Sequence, residues 1–176
     1  REGQAGFFTK AELDDSAGIL WKPEEQELAA NPRIDAPEAV STRSSFGRAE
    51  LEAFAAGDTF GCFGKGFEFA QTHNRAPRIA SGKMLFQDAV THFEPKGGPW
   101  GRGYLRATQT ISPSDWFFDG HFKNDPCMPG TLMFEGCLGM MAFYLAGMGY
   151  TLRRDGWRFR ALDSWVCAAT TLNDAS

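Results

Sequence analysis

The sequence lacks runs of lysine and arginine, lacks a Cys-x-x-Cys pair, and carries a net charge of −4 at pH 7 over 176 residues. Without a basic run the chain has no electrostatic footprint for nucleic acid, so no nucleic-acid partner is expected. The chain is long enough to bury a core without disulfides, which predicts reduced thiols and a cytoplasmic setting. The sparse cysteines are Cys62, Cys127, Cys137 and Cys167.

Two familiar kinds of ligand site are also missing. His121, Asp125 and Cys127 do not have the spacing of zinc ligands, so no metal is expected. The glycine–lysine segments 64–66 and 82–84 lack both the Ser or Thr and the upstream glycine of a phosphate-binding loop. The chain is therefore predicted to work without a cofactor.

No signal-peptide pattern follows the first residue, which is arginine and not methionine. The simplest interpretation is a piece of a longer polypeptide. Segment 131–150 is strongly apolar, but it contains Glu135 and four glycines behind a proline–glycine turn. Because a membrane span needs about 20 residues with few or no charges, a buried core helix and no membrane span are predicted.

Composition divides the chain near residue 43. Residues 22–43 are rich in Pro, Ala and Glu, as linkers are. The sequence FTKAEL at 8–13 returns as FGRAEL at 46–51, which suggests the tail of one unit followed by the head of a similar one. We predict a tail and linker over 1–43 and one domain over 44–176.

The domain reads as a hairpin followed by a long apolar helix. A helix that is apolar on all sides must be covered by other elements, and a curved antiparallel sheet could wrap it, so the fold class is α+β. The 16 phenylalanines favour a core or pocket lined with flat rings. The predicted elements are a helix over 48–56 ended by Gly57, a strand over 83–93, a turn over 94–99, a strand over 100–111, an aromatic loop over 113–120, a helix over 131–147 and a further strand within 153–163.

The segment HFKNDPCMPGTLMFEG, residues 121–136, carries the candidate chemistry. Its Pro-Gly turn predicts a helix start near Gly130 or Thr131, whose free amides could hold a carbonyl oxygen as it gains negative charge. An unpaired carboxylate in an apolar site, such as Glu135, prefers to hold its proton and can donate it. His121 could remove a proton near neutral pH. Together these groups suit dehydration next to a carbonyl.

The residues alone leave other interpretations open. His121 could be an ordinary core or surface residue beside aromatic rings. Glu135 could cap a neighbouring loop or pair with Arg102 or Arg106, and a Pro-Gly turn is a common helix start.

The segment WFFDGHFKNDPCMPGTLMFEGCLGMMAFYL, residues 116–145, resembles the active-site segment of the hotdog-fold β-hydroxyacyl-ACP dehydratases, in particular the β-hydroxydecanoyl-ACP dehydratase type. The pattern HF..DP.MPG.L, with an acid five positions after the glycine, carries the resemblance. It extends more weakly from about residue 46 to 162. The linker resembles the junction between tandem dehydratase domains of polyunsaturated-fatty-acid synthases.

This resemblance implies a hotdog fold and a role for each matching position. His121 would be the base, Glu135 the acid, the Gly130 amide the group that polarises the thioester, and the Cys127 carbonyl the group that orients the histidine. In the family the histidine of one unit works with the acid of another, which implies a homodimer or a tandem hotdog partner. The substrate carrier would be acyl carrier protein. The pocket would be lined by Phe118, Phe122, Met128, Pro129 and Phe134.

Departures from the pattern limit what can be carried over. The acid is Glu135 where isomerising dehydratases have Asp, and Thr131 replaces their common cysteine, so isomerisation is not predicted. No resemblance is recognised after Leu162, where the family continues with strands, so a truncated sheet is expected. Two alternatives to a (3R)-hydroxyacyl-ACP dehydratase stay open: a non-catalytic hotdog unit that supports an active partner, and a hotdog acyl thioesterase.

Overall fold

A computed structural model of the chain describes residue 11, residues 36–99, residue 101, residues 103–157 and residue 159. The chain divides into two units, Arg1–Asn31 with Trp165–Ser176, and Pro32–Ser164. Apart from Ala11, every described residue belongs to the second unit. The first copy of the repeat therefore lies largely outside the described residues. In the segment 153–163, where a strand is expected, residues 153–157 and 159 are described and none is in a strand, while the others lie outside the described residues. The boundary at residue 43 stays a prediction.

The second unit combines helices with a hairpin, as the predicted α+β class requires. Its described elements, in chain order, are α1 (Arg48–Ala56), α2 (Thr59–Phe63), the 3₁₀ helices Glu68–Thr72 and Gly82–Met84, β1 (Ala89–Glu94), β2 (Tyr104–Thr108), the 3₁₀ helix Trp116–Asp119 and α3 (Gly130–Gly147).

Helix α1 has the predicted bounds because its sequence carries both end signals. The Glu50 carboxylate accepts the backbone N–H of Gly47 at 2.9 Å, one half of a capping box. Gly57 ends the helix with a φ of 93°, a left-handed conformation that glycine adopts without strain. Leu51, Phe54 and Ala55 are buried, because their spacing places them on one face of the helix.

The hairpin forms as predicted, but both strands are shorter. β1 and β2 pair antiparallel, with Phe93 opposite Leu105. The strand predicted over 83–93 begins only at Ala89, because the chain first makes a 3₁₀ turn at Gly82–Met84. The strand predicted over 100–111 is reduced to Tyr104–Thr108. Gly101 and Gly103 precede it with φ values of 63° and 130°, which are incompatible with a regular strand.

A cluster of phenylalanine rings forms the core. Phe143 of α3 is fully buried, and its ring centroid lies 5.0 Å from those of Phe46 and Phe63. Edge-to-face contacts with Phe54 and Phe93, at 5.4 and 6.4 Å, complete its surroundings. The core therefore joins α1, α2 and β1 to the C-terminal half of α3.

Helix α3 starts at Gly130, one of the two predicted positions, and ends where expected, with Gly149 at a φ of 76°. Its buried residues, all toward its C-terminal end, are Met140, Phe143, Ala146 and Gly147. The prediction of a helix buried throughout is therefore wrong for the N-terminal half, within the part of the chain that the structure describes. By length and composition α3 could cross a membrane, which is a weak indication because core helices of soluble proteins pass the same test.

Candidate functional site

The N-terminus of α3 presents free backbone donors. Pro129 precedes the helix, and its carbonyl accepts the N–H groups of Leu132 at 2.9 Å and Met133 at 3.3 Å. Within the described residues, the N–H groups of Gly130 and Thr131 have no acceptor. A Cβ built on Gly130 would meet nothing within 4 Å, so the space beside it is open. First-turn amides carry partial positive charge and can bind a carbonyl or anionic oxygen.

His121 is held by a closed loop that leads into this helix. The backbone N–H of Cys127 donates to the His121 carbonyl at 2.9 Å, which fixes the two ends of segment 121–127 together. Phe122 and Asp125 exchange two further backbone hydrogen bonds, at 3.1 and 3.2 Å. The peptide bond between His121 and Phe122 is cis. The loop brings the imidazole and the start of α3 to one place.

The Cys127 carbonyl oxygen lies 3.1 Å from Nδ1 of His121. A carbonyl oxygen can only accept, so this bond requires the proton on Nδ1 and leaves the lone pair on Nε2. The Cys127 thiol also lies close to the ring, with Sγ 3.4 Å from Nδ1. The arrangement suits a histidine that accepts a proton at Nε2.

His121 lines a cleft of about 400 Å³ beside the first turn of α3. Its ring stacks on Phe122, with centroids 4.2 Å apart and planes 29° apart, and Phe122 is 56% exposed. The cleft is lined by Trp116, Phe117, Gly120, His121, Pro129, Thr131 and Leu132. Of the predicted pocket residues only Pro129 is in this set. Sequence reasoning missed the side chains of Trp116 and Leu132, although both lie in the segment that carries the resemblance.

The other predicted pocket residues lie around the cleft or beyond it. Phe118 packs on Phe117, with ring centroids 4.6 Å apart. Met128 lines a groove along α3 that shares Leu132 with the cleft, and Phe134 is half-buried on the helix. The structure therefore places His121, Cys127, Pro129 and the Gly130 amide close together. That the predicted phenylalanine rings line the substrate pocket stays a prediction.

Glu135 is exposed, so its predicted apolar burial is wrong within the described residues. Within the described residues Glu135 forms no ion pair or hydrogen bond, so Arg106 is not its partner. Arg102, the other predicted partner, is not among the described residues. Helical spacing places Glu135 one turn past Thr131 on the same face, about 6 Å along the axis. It can therefore meet a partner that covers this face.

An apolar groove runs beside α3 and was not foreseen. Two adjoining hollows of about 340 and 400 Å³ share the side chains of Leu105, Cys137 and Met140. At one end Gln87 donates to the Gly136 carbonyl at 3.1 Å. At the other, burial raises the pKa of Tyr144, with a smaller contribution from nearby Tyr150. In the sequence, the glycine at position 136 inside the helix was the signal that another group, here the Gln87 side chain, comes close to the helix.

The described residues hold no group of three or more His, Cys, Asp or Glu that could bind a metal ion. The expectation of a metal-free site stays a prediction.

The family model for the FabA-like domain matches residues 79–170, more than half of the chain. The chain belongs to the FabA-like domain family. Its fold is therefore the hotdog fold, in which the β1–β2 hairpin and the long apolar helix α3 are the described parts. The match includes the His121 loop and all of α3. It also continues past Leu162, so the expectation that the resemblance stops there is wrong.

Proposed function

We propose that this FabA-like chain dehydrates (3R)-hydroxyacyl thioesters on acyl carrier protein to trans-2-enoyl thioesters. FabA-like proteins are generally hydroxyacyl-ACP dehydratases of fatty-acid biosynthesis, which supports the reaction class. The observation that carries the proposal is the bond between Nδ1 of His121 and the Cys127 carbonyl, 3.1 Å, beside the open amides of α3. A base and a carbonyl clamp in one cleft are what dehydration next to a thioester needs.

In the proposed reaction, Nε2 of His121 removes a proton from C2 of the hydroxyacyl group. The Gly130 N–H donates to the thioester oxygen, which gains negative charge as the C2–H bond breaks. A carboxylic acid then protonates the hydroxyl at C3, and the C3–O bond breaks with loss of water. The electron pair from C2–H becomes the new double bond.

The acid is proposed to be Glu135 of a second hotdog unit, either another copy or a tandem neighbour. Support comes from the exposure of Glu135 and from the N-terminal half of α3, which is only partly covered in the described residues. Such an apolar face, if left uncovered, would form an exposed patch of the kind that soluble monomers rarely carry. A cytoplasmic assembly without a membrane span is proposed with it, and FabA-like proteins are typically soluble.

The assay that tests the reaction uses hydroxyacyl-ACP with the 176-residue chain, alone and with its neighbouring domains. We expect enoyl-ACP in at least the paired sample, detected by mass spectrometry of the intact carrier. Release of unacylated carrier would instead indicate a thioesterase. Turnover by a folded monomer, checked by light scattering, would contradict the need for a second unit.

A second candidate is a non-catalytic hotdog unit that supports an active partner. The observation that favours it is that Glu135 reaches no described partner and does not line the His121 cleft. This candidate predicts that a His121→Ala change leaves the turnover of the paired assembly unchanged, whereas the dehydratase proposal predicts its loss.

A further inference from the structure

A second cavity lies on another part of the domain and is lined by two arginines. It has a volume of about 420 Å³, and its described lining residues are Asn74, Arg75, Ala76, Pro77, Arg78, Ala142 and Phe159. None of them lines the His121 cleft or the apolar groove. The volume falls in the range typical of small-molecule sites, about 300–1,000 Å³. The proposed dehydration makes no use of it.

Arg75 is fixed at its backbone and packs against a glycine. Its N–H donates to the Asp155 carboxylate at 2.8 Å, and its carbonyl accepts the N–H of Gly156 at 3.1 Å. A Cβ on Gly156 would lie 3.2 Å from Nη2 of Arg75, so the guanidinium lies directly against this residue. The turn at 155–156 therefore fixes the backbone of Arg75, the first of the two arginines that line the cavity.

Arg78 is placed in a similar way at the end of α1. A Cβ on Gly57 would lie only 2.8 Å from Nε of Arg78. Gly57 is the residue that ends α1, where the helix carbonyls carry partial negative charge and favour a cation. Between the two arginines Pro77 is buried, which fixes the backbone that joins them. Arg75 and Arg78 are exposed residues, and each guanidinium group lies beside a glycine that has no side chain.

The described lining residues of this cavity carry net positive charge, and the Asp155 carboxylate lies close enough to interact with the Arg75 charge. No acidic side chain is among its described lining residues. Asp155 is the acid tied to this segment, and its Oδ1 already accepts the Arg75 N–H. Two neighbouring arginines have partners, since Arg153 pairs with Glu38 at 3.4 Å and Arg154 stacks on Trp157. Within the described residues, the guanidinium groups of Arg75 and Arg78 form no hydrogen bond or ion pair.

We infer that this cavity binds the phosphate monoester of a small organic molecule. Guanidinium groups match phosphate oxygens with paired hydrogen bonds, and two of them with Asn74 supply several donors around one cavity. The cavity is larger than a phosphate ion requires. Pro77, Ala142 and Phe159 supply apolar surface for the organic part of the ligand.

Isothermal titration calorimetry of the full chain tests this site without any need for turnover. The probes are inorganic phosphate, glycerol 3-phosphate and adenosine 5′-monophosphate, with adenosine as the uncharged comparison. We expect both esters to bind more tightly than phosphate and adenosine not to bind. Saturable binding that weakens with salt is expected, because ion pairs at an open site are screened.

Variants decide whether the two arginines hold the phosphate. Arg75→Gln and Arg78→Gln should each weaken ester binding about tenfold or more, the usual effect of losing a charge-assisted hydrogen bond. Arg106→Gln, which removes an exposed arginine of β2, is the matched control and should bind as the parent does. His121→Ala should also bind normally, which separates this site from the dehydratase proposal.

Two results would overturn the inference. One is the absence of saturable binding of either ester by the folded parent chain. The other is an equal loss of affinity in the Arg106 control, which would show attraction by general charge and not by a site. Circular dichroism confirms that each variant is folded before its affinity is compared.

Discussion

Replacing His121 with alanine separates a catalytic base from a structural histidine. The side chain is half-buried and makes one hydrogen bond to the Cys127 carbonyl, at 3.1 Å, and one stack on the exposed Phe122. Such a bond contributes about 0.5–1.5 kcal/mol and such a stack a similar amount. We therefore expect a loss of about 1–3 kcal/mol in unfolding free energy, or a fall in Tm of several degrees.

The expected loss of activity is far larger. A positioned general base contributes about 10²–10⁴-fold, so turnover should fall by that factor while the fold persists. The measurement is initial-rate formation of enoyl-ACP, with thermal unfolding of the same preparations.

His92→Ala is the matched control. His92 lies exposed on β1, with Nδ1 3.0 Å from the Thr91 hydroxyl and its ring 6.0 Å from that of Tyr104. Its removal deletes comparable contacts away from the cleft and should leave turnover unchanged. Near-parental turnover in the His121 variant, or an equal loss in the His92 control, would refute the assignment of the base.

Three further predictions concern the acid, the core and a pH-dependent contact. Glu135→Gln should abolish turnover and change stability by less than about 0.5 kcal/mol, because the residue is exposed; a large loss in a urea titration would mean a structural ion pair. Phe143→Ala should destabilise by about 3–5 kcal/mol, and Phe69→Ala, at a ring 46% exposed, by much less; equal losses would contradict the core assignment. The pKa of Asp155 is lowered, chiefly by the hydrogen bond from the Arg75 backbone N–H. The ionised carboxylate therefore stabilises the fold fully at pH values above the ordinary Asp pKa. This stabilisation is lost as the pH falls through the lowered pKa of the folded state. Asp155→Asn should thus be less stable than the parent at neutral pH and equal to it in strong acid, as melting curves across pH can check.

Local sequence signals were sufficient where a helix end depends on its own residues. Gly47, Glu50 and Gly57 define α1, and the Pro129-Gly130 turn defines the start of α3. Strand lengths could not be predicted in the same way. They depend on backbone turns at the glycines that flank the hairpin, and a pattern of apolar residues does not show these turns.

The burial of Glu135 was predicted wrongly because burial is a property of the assembled elements. A helix can be apolar in sequence and still be only partly covered along one half, as α3 is within the described residues. The arginine cavity was equally invisible, since it depends on Arg75 meeting a turn 80 residues later in the chain. By contrast, the resemblance of segment 116–145 correctly indicated the fold.

The two halves of α3 are packed to different extents, so their local stabilities should differ. The half around Phe143 is embedded in the phenylalanine core, so its amide hydrogens should exchange with solvent only when the whole domain unfolds. The half that begins at Gly130 has little described cover and can open locally at a much smaller free-energy cost. One continuous helix therefore carries a gradient of local stability. Its rigid end anchors the helix in the core, and its loose end, which carries the amide donors, can adjust to a substrate or to a second unit.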